Sequence, residues 1–421
     1  MREMKDSGIE WIGKIPASWD ISPIKYNYEI VAGATPDSSI TENWDGDIAW
    51  ITPADYKTND VYIFKGKRTI SNRGYKSCAT SLLPIGSIIF SKRAPIGSVA
   101  ISATSLCTNQ GCLGLIKKNG AANNKFFYYV LSIYSDVFNL FGSGTTFKEI
   151  STNTFANIAL PYPQVSTQER IASFLDSKCS ELNSLSADIQ KEIETLEQYK
   201  RSVITEAVTK GLNPDVEMKD SGVPWIGKMP ANWTCIKGKY ILKYMQKPVK
   251  TDDGVITCFR DGEVTLRSNR REDGFTMADK EIGYQGIDVG DLVVHGMDGF
   301  AGAIGISDSR GKASPVLNVL NSRQNKKYIM YYLRSMAYGD VFAALATGIR
   351  VRSCDLRWNK LSVLLYPVPP LEEQAGIVQY IEDTLNKVNG VISEKKQQLT
   401  VIDSYKKSLI YEYVTGKKEA L

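Results

Sequence analysis

One histidine, His295, stands among 421 residues. The seven cysteines, at 78, 107, 112, 179, 235, 258 and 354, have neither zinc-ligand spacing nor the even count of a disulfide framework. A Cys/His metal site has no donors to build it, and the thiols are expected free in a reducing compartment. No apolar run approaches the roughly 18 residues of a membrane span. The opening MREMKDSGIEW lacks the apolar stretch of a signal peptide, so the sequence points to the cytoplasm. A strong excess of one charge is missing too: 51 Lys and Arg face 46 Asp and Glu, a net of +5. What remains, 43% hydrophobic and 23% charged residues, is the composition of a folded soluble protein. Its length fits two or three domains.

The chain repeats itself. Residues 4–19 read MKDSGIEWIGKIPASW and residues 218–233 read MKDSGVPWIGKMPANW, identical at twelve of sixteen positions. Further on, PYPQVSTQERIASFLDSKCSELNSL (161–185) matches PVPPLEEQAGIVQYIEDTLNKVNGV (367–391), and EQYKRSVITEAVTKG (197–211) faces DSYKKSLIYEYVTGK (403–417). Each copy is a leader, a variable block, a proline-containing extended segment and a long charged segment. The expected boundaries are 1–19 for a leader completing the scaffold, 20–163 for the first variable domain and 164–217 for a long helix with its linker. The second copy follows as 218–233, 234–369 and 370–421. The two copies share a scaffold and differ in the part that meets something.

From Gln168 to Thr209 there is neither Gly nor Pro. Leu175, Leu182, Ile189, Leu196 and Val203 recur every seven residues, joined by Leu185 and Tyr199. The second copy offers Ile381, Val388, Lys395, Ile402 and Leu409, with Val391 and Tyr405. A seven-residue apolar repeat held this long is a coiled-coil signature. Ser166 and Thr167 are placed to cap the first helix, and Gly211 to end it. Two such helices in one chain suggest an antiparallel pair; a homodimer, or each helix packing on its own block, are the alternatives.

The variable blocks read as α+β. GSIIFSKRAPIGSVAIS carries short β-branched runs punctuated by Pro and Gly, which is hairpin patterning. KFFYYVLSIYSDVFNLF (125–141) and KKYIMYYLRSMAYGDVFAAL (326–345) space their apolar residues helically. A small sheet with one or two covering helices is expected in each block, joined by the long helices in an internal pseudo-twofold repeat.

Charge is distributed unevenly. Between Asp60 and Asp136 no acid occurs, while ten bases do, among them Lys65, Lys67, Arg68, Arg73, Lys76, Lys92 and Arg93. The second block concentrates its bases at Arg267, Arg270, Arg271 and at Arg350, Arg352, Arg357, Lys360. Like charges at such density favour a polyanion, and the interspersed Ser, Thr, Asn and Gln suit phosphate and base edges. These fourteen residues are the candidate DNA contacts; the alternative is a basic but solvated face.

Chemistry is not visible. GIEWIGK (8–14) and GVPWIGK (222–228) imitate a phosphate loop, but Ile15 or Met229 follows where Ser or Thr would hold magnesium. FGSGTTF (141–147) follows a helical stretch rather than a strand, and no Asn-Pro-Pro-Tyr or Asp-Pro-Pro-Tyr tetrad exists. His295 has Ser91 as its counterpart, which argues against a mechanism shared by the copies. The chain reads as a recognition protein without catalytic residues. The segments most alike in both halves would serve a partner that docks twice: Trp11, Trp225, Tyr199 and Tyr405, with internal packing as the alternative for the two tryptophans.

In the order and duplication of its leaders, of WITPADY (50–56), GSGTTFKEISTNTFANIALPYP (142–163), VSTQERIASFLD (165–176), PPLEEQAGIVQYIED (369–383) and the paired YK-x-S-[VL]-I motifs, the chain resembles the specificity subunits of type I restriction–modification enzymes. That resemblance implies two target recognition domains, each reading half of a split, asymmetric DNA site, on an antiparallel coiled coil that sets the gap. It implies two modification subunits holding S-adenosylmethionine and the catalytic tetrad, and restriction subunits using ATP and Mg, with no cofactor on this chain. FRDGEVTLRSNRR (259–271) departs from WITPADY, so the halves are expected to read different bases. The rival readings are a coiled-coil scaffold that binds nucleic acid without sequence preference, and a nuclease, for which no acidic cluster is found.

Overall fold

The computed structural model describes the chain except residues 1, 58, 59, 119, 121, 143–147, 271–281, 346–355 and 421. Two helices dominate it, Val165–Lys210 and Leu371–Val414. The first starts earlier than its polar residues suggest. The Gln164 carbonyl accepts from the amides of Thr167 and Gln168, which puts Ser166 and Thr167 inside the first turn instead of at its cap. Glu372 and Glu373 open the second helix, where carboxylates complement the helix dipole. Both helices end on a glycine in the left-handed region, Gly211 at φ +74° and Gly416 at φ +71°.

The chain divides into two compact units: residues 1–189 with 396–421, and residues 190–395. Each long helix contributes a segment to both, and within each unit the two segments lie antiparallel. In the first unit Phe174 stacks on Tyr413 with centroids 4.4 Å apart, and Lys406 donates to Asn183 at 2.7 Å. In the second unit Lys395 pairs with Glu192. The helices are therefore each other's partners, as the antiparallel reading expects.

The seam differs from the heptad reading in one respect. Leu175, Ile189, Val203, Ile381, Val388 and Leu409 are buried, and Leu182, Leu196 and Ile402 half-buried. Yet Leu185, Tyr199, Val391 and Tyr405 are exposed. The second buried position falls four residues after the first, at Cys179, Ile193, Ala207 and Ile392, with Lys406 half-buried. A coiled-coil seam alternates steps of three and four. Here the step of four places Cys179, Ala207 and Lys406 inside alongside Ile193 and Ile392, while the larger exposed Leu185, Tyr199, Val391 and Tyr405 draw a reading by hydrophobicity alone to the wrong neighbours.

In the first unit a five-stranded sheet runs in the order Tyr28–Ala32, Cys112–Lys117, Ile88–Ser91, Val99–Ser102, Tyr62–Ile63. Its strands are antiparallel but for the last pair. The expected hairpin is thus present as Ile88–Ser91 against Val99–Ser102. A second sheet of Leu106–Thr108, Trp44–Ile51 and Arg68–Ile70 stands beside it. The aromatic stretch after residue 124, read as helical, forms two helices, Asn124–Ser132 and Ser135–Phe141, within the one or two expected. In the second unit four antiparallel strands order as Leu242–Met245, Leu317–Ser322, Leu292–His295, Ile304–Ile306, with Lys326–Tyr338 as the main helix.

The leaders close the helix ends. Ile12, Ile15 and Trp19 enter one core with Leu409, Ile410 and Val414, and the Tyr411 hydroxyl donates to the Ile12 carbonyl at 3.2 Å. A Cβ on Gly416 would fall 2.5 Å from the Pro16 ring, so this approach needs glycine twice over, for space and for φ. The second leader does the same in its own unit, where Val223, Ile226, Met229 and Trp233 join Ile204, Ala207 and Val208.

Candidate nucleic-acid interface

WITPADY folds as the end of a strand and a tight turn. Asp55 accepts from the Thr52 amide at 2.8 Å and its hydroxyl at 2.7 Å, a capping box around Pro53. The other Asp55 oxygen accepts from the Lys67 amide at 2.8 Å and so sets the start of Arg68–Ile70. Trp44 and Trp50 lie edge to face at 5.1 Å, with ring N–H groups donating to the carbonyls of Asp37 and Ala34. The Arg68 guanidinium rests 3.5 Å from the centre of the Trp44 ring.

Around it Lys65, Lys67, Arg73 and Lys76 are exposed, and among the described residues no carboxylate lies within 4 Å of any of these cations. Lys92 and Arg93 differ. Both pair with Glu149 at 2.7 Å, an acid that the fold returns from outside the acid-free stretch. Burial pushes the Glu149 carboxyl up, but hydrogen bonds from Lys92 and Arg93 outweigh it and hold its pKa below the ordinary value. Lys125 is likewise taken up by Asp176.

In the second unit more of the positive charge is compensated. Arg270 bridges Asp261 at 2.7 Å and Glu263 at 2.9 Å over the Phe259 ring. Arg267 approaches the Thr257 hydroxyl at 3.4 Å. These arginines line a cleft of 540 Å³ together with Arg260 and His295. Arg260, held to Asp298 at 2.8 Å, was hidden in the sequence by its acidic neighbours Asp261 and Glu263. The His295 Nδ1 accepts from the amides of Met297 at 3.2 Å and Asp298 at 2.9 Å, which leaves the proton of the neutral ring on Nε2. Burial lowers its pKa below the ordinary 6.5, against the pull of Asp298, so the ring is a neutral donor at neutral pH. Arg357 and Lys360 are exposed at the helix Trp358–Leu361. Arg271, Arg350 and Arg352 lie outside the described residues.

Trp11 is half-buried, edge-on to Tyr134 at 4.4 Å, and Trp225 donates to the Tyr332 hydroxyl at 3.1 Å. Both tryptophans therefore join a leader to its own unit. Tyr199 and Tyr405 remain 49% and 56% exposed on the helices. Among the described residues no group of three His, Cys, Asp or Glu could hold a metal, and no helix is long and apolar enough to cross a membrane.

Residues 16–195 match a protein family described as the type I restriction modification DNA specificity domain. The chain is similar to the MjaIX type I restriction enzyme specificity subunit of Methanocaldococcus jannaschii, 37% identical over 189 residues. That alignment takes in 44% of this chain, and the chain spans 43% of that relative's length. The MjaVIII specificity subunit of the same organism is 22% identical over 427 residues, covering 96% of this chain and 94% of the relative. Among solved structures, a chain from a study of type I R-M complex assembly and conformational transition superposes with a TM-score of 0.68. It covers 95% of this chain and 98% of its own length at 13% identity, a likeness of fold.

Proposed function

We propose, from the premise that the chain belongs to the family of type I restriction–modification specificity subunits, that it is the DNA-reading subunit of such a complex. Each recognition domain binds one half of a split site, and the paired helices set the gap. The observation that carries this reading is the surface of Lys65, Lys67, Arg68, Arg73 and Lys76, cations left without a carboxylate on the strand Arg68–Ile70, the loop before it and the helix Asn72–Ser77 after it. Such a surface draws in a phosphate backbone at the expense of condensed counterions. Lys92 and Arg93, paired through Glu149, are the further cations of this unit assigned to DNA. In the second unit Arg267, Arg270, Arg357 and Lys360 take the corresponding role. There the paired acids restrict the arginines to ligands that can compete for their N–H groups, a basis for specificity over bulk attraction.

The chemistry belongs to other chains. Two modification subunits bring S-adenosylmethionine, and restriction subunits bring ATP and Mg, all in the cytoplasm. Tyr199 and Tyr405, exposed at matching places on the two helices, are the aromatic anchors for a partner that docks twice.

The test is partner dependence. With S-adenosylmethionine, ATP and magnesium present, the purified chain leaves DNA unmethylated and uncut. Adding modification subunits, at two per chain by mass, gives methylation at a split site. Methylation by this chain alone would end the reading, and one affinity for all duplexes would mark a scaffold without sequence preference.

A further inference from the structure

The geometry points to Arg68 as the residue by which the first recognition domain reads a guanine, with the surrounding cations holding phosphate. This rests on the DNA-reading function above and goes beyond it by separating the reader from its neighbours. Five exposed cations share the region, but only one has its side chain fixed. The Arg68 guanidinium lies 3.5 Å from the Trp44 ring centre, closer than the 4.0 Å of Lys417 over Tyr411 or the 5.4 Å of Arg2 over Trp19.

The platform beneath it is itself rigid. Trp44 and Trp50 are buried in a cluster with Ile70 and Cys107, separate from the main core of the unit. Both indole N–H groups are spent on backbone carbonyls, so neither ring is free to turn. Two buried tryptophans set apart in this way stabilise little besides the strand pair that carries Arg68, whose backbone registers opposite Trp50.

Stacking occupies a face of the guanidinium and leaves its edge. Among the described residues no protein acceptor takes the Arg68 N–H groups, which stay available as a planar fork. A fork whose plane is fixed before binding loses little side-chain entropy on contact. In the major groove the matching partner is the O6 and N7 pair of guanine, the commonest specific contact of arginine. Lys65, Lys67 and Lys76 have flexible stems and no ring beneath them, which suits phosphate, a ligand that tolerates many approach angles.

The test is enrichment of a random duplex pool on the full-length chain and on its Arg68→Ala and Lys67→Ala variants. Wild type should enrich a split motif with guanine in one half. Arg68→Ala should lose the preference at that guanine alone, by roughly 5- to 150-fold, the range of one bidentate arginine–guanine pair. The other bases of the same half-motif, read by the same unit, report that the variant is folded. Lys67→Ala should keep the whole motif and weaken all duplexes together. Placing 7-deazaguanine at the identified position should weaken wild type but leave Arg68→Ala unaffected. An unchanged motif in Arg68→Ala, or an equal loss on every duplex, would overturn the assignment. Wild type enriching no motif would instead bring down the DNA-reading function itself.

Discussion

Gln168 and Gln374 make the same two hydrogen bonds in the two units. Gln168 donates to the Pro163 carbonyl at 2.8 Å and accepts from the Asn123 amide at 2.8 Å. Gln374 donates to the Pro369 carbonyl at 2.9 Å and accepts from the Asn325 amide at 2.9 Å. Asn123 and Asn325 in turn cap the helices Asn124–Ser132 and Lys326–Tyr338. Each buried glutamine thus ties the first turn of a long helix to the first turn of a domain helix.

Replacing either glutamine by glutamate keeps the shape but removes the donor and buries a charge. Each stranded backbone group costs about 1–3 kcal/mol, more beside a charge. Gln374→Glu should therefore unfold at distinctly lower denaturant, and Gln168→Glu likewise. Midpoints indistinguishable from wild type would show that water replaces the clamp.

The phase of the seam is open to a paired test. Leu175→Ala, at a fully buried position, should cost about 2–5 kcal/mol. Leu185→Ala, at a residue 48% exposed, should change stability by no more than about 0.5 kcal/mol. Equal losses in thermal unfolding would restore the heptad phase that hydrophobicity alone suggests.

Acid should destabilise the unit of residues 190–395 in a defined window. Lys247 and Arg310 both hydrogen-bond Asp288 and hold its carboxyl down at about 2, from an ordinary 3.8. Asp253 is lowered as well, foremost by its hydrogen bond from Arg310. A depressed folded-state pKa contributes stability that is present above the unfolded value and lost as pH falls through the folded one. Thermal midpoints should thus drop between about pH 4 and pH 2, and Asp288→Asn should flatten that part of the curve. A variant curve parallel to wild type would assign acid sensitivity elsewhere.

If the paired helices act as the ruler proposed for them, one heptad inserted into both should keep the seam in phase. It would lengthen the support by about 10 Å, or three base pairs. Methylation mapping with the partner subunits should then show both half-motifs unchanged and the gap wider. An unaltered gap would remove the ruler role.

The repeat, the long helices and their antiparallel pairing were legible in the sequence because each is a periodic or local signal. The helix break before Ser135, the second row of the seam and the fate of Lys92 and Arg93 were not. Glu149 reaches those two side chains across more than fifty residues of chain, and no local pattern announces such a meeting. Lys406 occupies a seam position that its charge would assign to the surface. Nor does the WITPADY motif show in sequence that Trp50 lies opposite Arg68 in the sheet, eighteen positions away.

The seat of the first leader governs the order in which the protein can be made. Residues 190–395 are one uninterrupted stretch, whereas the other unit needs both ends of the chain. Ile12 waits for Tyr411, 399 residues later, before its carbonyl finds a donor. On the ribosome the inner unit can therefore mature while Ile15 and Trp19, already synthesised, are still without the helix end that buries them. Premature termination shortly before Leu409 would spare the inner unit and leave the first leader without the helix end that covers Ile12 and Ile15.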